Sequence, residues 1–367
     1  MNLMGVINLD NEQDFLNELT YFRCGAAVPF AGRYRLIDFV LSNMTNANLN
    51  EIAVFARSKY RSLNDHLGKG KCWDLDIKNG GLFILPPDWN DPTDISKGDL
   101  QHFHNNLDYF HRSKANYVII SGSQHVCNID YEDAYQHHLQ SGADVTLIYK
   151  KVERLQKEHK QCQKLDVQAD GSVLEITNEE YNNNIYMNMY IINKSFLLEL
   201  LNEGIAYGAT HFFNDCIATK VNKLNIQAYE YTGVHSVINS VESYYKCNLQ
   251  LLDPKFYQDL FYKELTIFTK VKDEPPAKYL HGSKVTNSIV GNGCIIEGTV
   301  ENSLLFRGVK VEKGAVIKNS IVMQRGVIKA DTVMEHVILD KDVSVSNGKR
   351  LIGNEQIPFV IPKRKVI

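Results

Sequence analysis

Residues 23–43 read Arg23-Cys24-Gly25-Ala26-Ala27-Val28-Pro29-Phe30-Ala31-Gly32-Arg33-Tyr34-Arg35-Leu36-Ile37-Asp38-Phe39-Val40-Leu41-Ser42-Asn43. The first half is extended, punctuated by Pro29 and Gly32, and carries three arginines. The second half places Leu36, Phe39, Val40 and Met44 on one stripe, a spacing that predicts an amphipathic helix. A basic loop feeding a helix near a strand end is a candidate anion site. The same residues also suit a surface loop entering a core helix, and the pattern alone leaves both readings open.

Working outward, short β-rich runs at 51–55, 116–120, 144–149 and 185–192 alternate with helix-like spacing at 130–141 and 194–202. That alternation predicts a doubly wound α/β sheet whose ligand site lies beyond the carboxyl ends of its strands. Residues 251–281 change texture, with Asp253-Pro254, aromatics and Glu274-Pro275-Pro276, and read as a linker. Past it, Val285, Val290, Ile295, Val300, Leu305, Val311, Val316, Val322, Val327, Val333, Ile338 and Val343 recur every five or six residues, with Gly, Asn and Asp between them. Such short strands cannot bury a face alone, so the run predicts a stacked β-solenoid. Its steps of five require irregular corners. The domains expected are 1–250, a linker at 251–281, and 282–367.

The chain has 367 residues, 44% apolar and 23% charged, which is ample for two cores. A net charge of −3 supplies no field for nucleic acid or anionic membrane. The seven cysteines show no C-x-x-C spacing and an odd count, the pattern of reduced thiols. No apolar run reaches the roughly 18 residues that span a bilayer, and the first residues lack a signal pattern. A cytoplasmic protein is expected.

The run Ala27 through Asn43 resembles the A-V-P-F-x-G-x-Y-R-I-I-D-F-x-L-S-N segment of the bacterial glucose-1-phosphate adenylyltransferases. A second likeness covers Pro275 to Tyr279, Asn287 to Val290, Glu297-Gly298 and Asn302 to Phe306. In order and spacing the resemblance runs from about residue 3 to 342. It implies a nucleotidyltransferase-like mixed sheet followed by a left-handed parallel β-helix used for subunit contact and effector response. It also implies chemistry: backbone donors around a triphosphate, cations against phosphates, and carboxylates holding Mg²⁺.

Position by position, that chemistry is missing. The family's glycine-rich loop falls on Asp10-Asn11-Glu12-Gln13-Asp14-Phe15-Leu16, which has no glycine and three carboxylates. The family's phosphate-binding lysine falls on Gly25. The nucleotide-pocket segment falls on Gly98-Asp99-Leu100-Gln101-His102, where Asp99 and Leu100 are expected to narrow the pocket. The two metal-binding acids fall on Gln124 and Val237. The sugar-phosphate lysine and serine fall near Glu175-Ile176-Thr177 and on Tyr186, so both are absent. Tyr190, Phe212 and Asp215 keep family positions with packing or capping roles. Losing one charge-stabilising group costs about 10²–10³ in rate, and here several go together.

Arg23 and Arg35 match basic positions near the family's activator site, although neighbouring positions have become Phe22 and Pro29. They are candidates for binding a phosphorylated effector, or for ordinary ion pairs. His102, His104, His111 and His125 do not share a helical face and are not read as a metal site. The charge-dense run from Lys150 to Lys164 is read as a solvated segment.

The split between kept scaffold and lost site resembles the GlgD-type subunits of glycogen synthesis. The resemblance implies a non-catalytic regulatory subunit with no cofactor, assembled in a hetero-oligomer with a catalytic glucose-1-phosphate adenylyltransferase subunit. Two alternatives stay open. One is an active, Mg²⁺-dependent enzyme whose site is rebuilt with Asp99 or Asp130. The other is a solenoid-anchored acyltransferase.

Overall fold

The computed structural model describes residues 2–10, 12, 15–87, 98–263 and 265–367. The amino-terminal part is built on a nine-stranded mixed sheet. Strand Leu3–Asn8 lies centrally, parallel to Glu51–Phe55 on one side and to Tyr117–Ser121 on the other. Strand Asn184–Asn193 runs antiparallel to Tyr117–Ser121 and to Val145–Lys151. The expected strands are all present, each within about two residues of its sequence-based bounds. Their side chains are buried almost without interruption, as expected for a sheet covered on both faces.

Helix Leu36–Asn46 departs from the amphipathic reading, because Leu36 through Met44 are all buried. Ile37, Val40, Leu41 and Met44 pack on the sheet with Ile7, Ile52 and Ile119. Leu36 and Phe39 face the other way, into a second core with Phe30, Tyr34, Tyr244 and Phe261. Two cores therefore enclose one helix. Asp38 closes its first turn by accepting from the Arg35 backbone N–H, and it also meets His66 Nε2 and Thr269 Oγ1.

The carboxyl-terminal part stacks three five-stranded parallel sheets, the walls of a left-handed parallel β-helix. Lys284 pairs with Thr299, Thr299 with Val316, and Val316 with Val333, so a coil takes 15 to 17 residues. The shortfall from a six-residue rhythm is absorbed at corners. Asn287, Asn302, Asn319 and His336, one above another, hold φ of 40°, 46°, 44° and 52°. Asparagine tolerates this left-handed region better than most residues, and the side-chain bond from Asn287 to Asn302 continues the column. A serine column, Ser288, Ser303 and Ser320, takes up the backbone N–H groups of Ser303, Ser320 and Val337.

Residues 251–281 do more than connect. Pro254–Phe261 is a helix capped by Asp253. Asn128 then holds the carbonyls of Leu260 and Leu265, and Ser42 bonds the Phe268 N–H. The segment is thereby strapped to the first domain. The solenoid wall that includes Leu304, Ile321 and Ile338 closes the same core as Phe30 and Phe39, so the two parts share hydrophobic interior.

Within that interface Arg23, 2% exposed, places one guanidinium nitrogen on both carboxylate oxygens of the fully buried Asp340. Removing one partner of a buried pair leaves an uncompensated charge, which typically costs about 3–5 kcal/mol. Asp340→Leu is expected to lower unfolding free energy by that amount in urea titrations. The double variant Arg23→Met with Asp340→Leu should recover most of the loss.

Candidate functional site

Two clefts collect polar side chains. The first, about 260 Å³, opens at the carboxyl ends of strands Leu3–Asn8 and Tyr117–Ser121, where the doubly wound topology places a ligand site. Its wall includes Asn8, Ser121, Gly122, Gln124, His125, Tyr186, Asn188, Tyr190, His211 and Phe213. Among the described residues no lysine or arginine lines it, and His211 is its basic side chain of raised basicity.

Glu12 lines the cleft. Its carboxylate accepts from the Ser123 N–H and from Ser123 Oγ at 2.7 Å. Burial pushes its carboxyl up to about 7 in spite of those bonds. A methyl group added at Gly122 would come within 3.1 Å of Glu12 Oε1, so this glycine makes room for the carboxylate. Asn11, Gln13 and Asp14 of the same loop lie outside the described residues. Gly25, where the family places a phosphate-binding lysine, lines a neighbouring cavity with Asp10, Glu12 and Arg57.

Gln124 and Val237 come close together, since strand His235–Val237 pairs antiparallel with His125–Cys127 and Val237 faces His125 in register. Neither supplies a carboxylate, and Val237 is 3% exposed. This donor set does not fit Mg²⁺, which takes hard oxygen ligands. Instead the hairpin carries a histidine pair, with His125 Nδ1 2.8 Å from His235 Nε2 and the rings stacked at 5.1 Å. One nitrogen must accept, so the pair cannot be fully protonated. Burial lowers His125 to about 3 and drives His235 well below its usual value.

The carboxylates weighed for a rebuilt metal site are otherwise engaged. Asp99, 1% exposed, accepts from Asn8 Nδ2 and from the Phe212 N–H, and lies 3.7 Å from His211, whose basicity it raises. Asp130 caps helix Tyr131–Ser141 through the Glu132 N–H. The expectation that Leu100 narrows the pocket is corrected. It is fully buried in the core on the other face of helix Gly98–Asn105, packed against Gly204. Tyr186 and Tyr190 flank Phe213, stacked at 4.7 Å and tilted at 5.4 Å, and form the aromatic wall. Tyr190 is thus both framework and lining, whereas Phe212 is core and Asp215 caps the turn at Thr210-His211. Glu175-Ile176-Thr177 lies on strand Val173–Thr177, away from the cleft lining. Histidines 102, 104, 111 and 125 are not gathered. Among the described residues no group of three His, Cys, Asp or Glu could hold a metal ion.

The second cleft, about 330 Å³, lies where the two domains meet. Among the described residues, Arg33, Arg35, Lys270 and Lys272 line it from one side, and Arg307, Arg325, Lys341 and Lys363 from the solenoid, against Asp65 and Glu274. Burial and the nearby Arg35 and Arg23 charges depress Lys341 to about 6, and burial lowers Arg35 to about 10. Of the two candidate effector arginines, Arg35 lines this cleft while bonding Ser62. Arg23 does not line it, because it is committed to Asp340. The solenoid cations lie some 300 residues from Arg35 in sequence, and no local motif marks them. Glu12 and the histidine pair were equally silent, since each acquires its role from a neighbour over 100 residues away.

Residues 16–161 match the Nucleotidyl transferase family and residues 275–357 the GlmU-like C-terminal hexapeptide family. Fold and cleft thus define a nucleotidyltransferase-type domain joined to a hexapeptide solenoid. The chain is 40% identical over 361 residues to glycogen biosynthesis protein GlgD of Bacillus subtilis (strain 168), covering 98% of this chain and 96% of that protein. It is 41% identical to the GlgD of Geobacillus stearothermophilus, covering 86% and 82%. Against the glucose-1-phosphate adenylyltransferase of Geobacillus stearothermophilus it is 31% identical, covering 83% and 80%. The chain belongs to the GlgD family of glycogen biosynthesis proteins, relatives of glucose-1-phosphate adenylyltransferase. No helix among the described residues is long and apolar enough to cross a membrane.

Glu12 gives a pH signature. Between about 4.5 and 7 the folded state holds a proton on Glu12 that the unfolded state has released, so its contribution to stability falls as pH rises through that window. Glu12→Gln does not titrate. Relative to the wild type, it is expected to gain about 1–3 kcal/mol between pH 5 and pH 8 in paired thermal or urea unfolding.

Proposed function

We propose that this protein acts in glycogen synthesis as a non-catalytic subunit that assembles with a catalytic glucose-1-phosphate adenylyltransferase and adjusts its rate or its response to metabolites. The observation that carries the reading is Glu12. Its side-chain carboxyl takes the Ser123 N–H where the related enzymes need a phosphate cradle, so that donor is spent, and the ionised form also repels a triphosphate. The loss of both metal acids, at Gln124 and Val237, points the same way. The rebuilt-enzyme alternative would need Asp99 or Asp130 to leave structural bonds already made.

Assembly is supported by the solenoid. An open stack end needs cover, and Ile352, Ile357, Phe359 and Val366, on or after the last coil, are exposed. Subunit coupling of about 1–3 kcal/mol is enough for a several-fold effect. The cation-rich cleft supports a phosphorylated metabolite as effector, because eight basic side chains converge there on two acids.

The deciding experiment measures ADP-glucose formation from ATP and glucose 1-phosphate with Mg²⁺ for this chain alone, the catalytic subunit alone, and the two co-purified. The reading expects no turnover from this chain and a several-fold change in rate or KM on co-assembly. Robust turnover by this chain alone would sink it. For the effector cleft, Lys341→Ala and Lys363→Ala are each expected to weaken glucose 6-phosphate binding by about tenfold or more. That binding should also weaken steeply between low and high salt, with calorimetry as the readout.

A further inference from the structure

The inter-domain cleft holds more positive charge than nearby carboxylates answer, and the surplus converges on one side chain. Along one solenoid corner, Arg307, Gln324, Lys341 and Lys363 each stand two residues past Leu305, Val322, Leu339 and Ile361, which pair in register from coil to coil. The four therefore form a column, each one strand spacing, about 5 Å, from the next, and all four line the cleft. Lys341 sits inside this column, between Gln324 and Lys363, with the charges of Arg35 and Arg23 close to it from the first domain.

The anions around Lys341 are already engaged. Asp340, its neighbour in the chain, gives both carboxylate oxygens to Arg23. Asp342 is paired with Arg325, and Asp38 is held by His66 Nε2 and Thr269 Oγ1. Lys341, Lys363 and Arg35 make no ion pair among the described residues. Gln324 brings no charge, and its Oε1 is buried without a partner. Like charges held this close in a half-buried cleft repel, and the readiest relief is for one of them to release its proton. A guanidinium does not, which leaves the lysines. Burial, then Arg35, Arg23 and Lys363, lower the basicity of Lys341 to about 6, and burial lowers Lys363 and His66 in the same direction.

We propose that Lys341 is a neutral amine in the ligand-free protein and an ammonium in the occupied cleft, so that each phosphoryl anion binds together with one proton drawn from solvent. The anion supplies the counter-charge that the fold gives to Arg23 instead, and the ammonium returns a charge-assisted hydrogen bond to it. An amine that regains its basicity on binding takes up a proton, so affinity falls as pH rises above the ligand-free value. The cleft would thereby read acidity and metabolite together. The inference rests on the effector reading of this cleft given above.

The test is calorimetric titration of the full chain with glucose 6-phosphate at pH 7 and pH 8, where a phosphoryl group, with its second pKa of about 6, is already doubly ionised. Each titration is run in Tris and in Hepes, whose different heats of protonation report proton exchange. Uptake of about one proton per ligand is expected, with binding about tenfold weaker at pH 8 than at pH 7. Lys341→Arg keeps a cation that does not titrate, so proton uptake should vanish and affinity should become the same at both pH values. Lys341→Met removes the amine altogether, and should bind more weakly with no uptake. Glucose 6-phosphate binding without proton uptake by the wild type overturns this inference and leaves the effector reading intact. Uptake that persists in Lys341→Arg also overturns it, because the proton then belongs to another group. Absent binding at both pH values overturns the effector reading and this inference together.

Discussion

A buried guanidinium sets the terms for the whole molecule. Arg23 is almost without solvent, and its charge is answered by Asp340, a residue 317 positions later in the chain. Neither charge is tolerable alone in that interior, so the amino-terminal domain is complete only when the solenoid is docked. The shared apolar core around Phe30, Phe39, Phe261 and Ile338 follows from the same constraint. So does the inter-domain cleft. Lys341 follows Asp340 directly, and the cations of both domains meet only because the pair holds them in one place.

Most of the fold was legible because it rests on local periodicity. The five-to-six residue rhythm from Val285 to Val343 gave the solenoid walls, and its steps of five called for irregular corners, of which Asn302, between Val300 and Leu305, is one. The alternation of β-rich runs gave the sheet. Helix Leu36–Asn46 was placed correctly but taken as one-sided, because pattern cannot reveal a second core supplied by residues 244–261 and 304–338. The strap at 260–269 likewise depends on Asn128, Ser42 and Asp38, partners no nearby sequence indicates.

The site was legible mainly by subtraction. By the resemblance, Gln124, Val237 and Gly25 stand where a nucleotidyl transfer would call for two metal-binding acids and a lysine. Subtraction could not say what fills the space. Glu12 turning onto Ser123, His235 stacking on His125 and Asn188 bulging from its strand are all consequences of chain crossing. It also misplaced Leu100, whose helix turns it to the core, and left Arg23 open between an effector site and an ion pair, because its partner Asp340 was out of sight. Substituted positions in a degenerate site are not inert remnants. Among the described residues they build a cleft lined by amides, aromatic rings, histidines and the Glu12 carboxyl.

The coil geometry bears on which insertions and deletions the lineage can accept. Neighbouring rungs of a parallel stack are about 4.8 Å apart, and a coil is 15 to 17 residues here. Removing one coil between Thr299 and Asp340 would slide Asp340 a full rung away from Arg23. Growth or loss of coils is therefore confined to the stretch past Asp340, where the path from Ile352 to Phe359 already accommodates extra residues between two walls. Length variation among homologues should accumulate there and stay scarce before the pin.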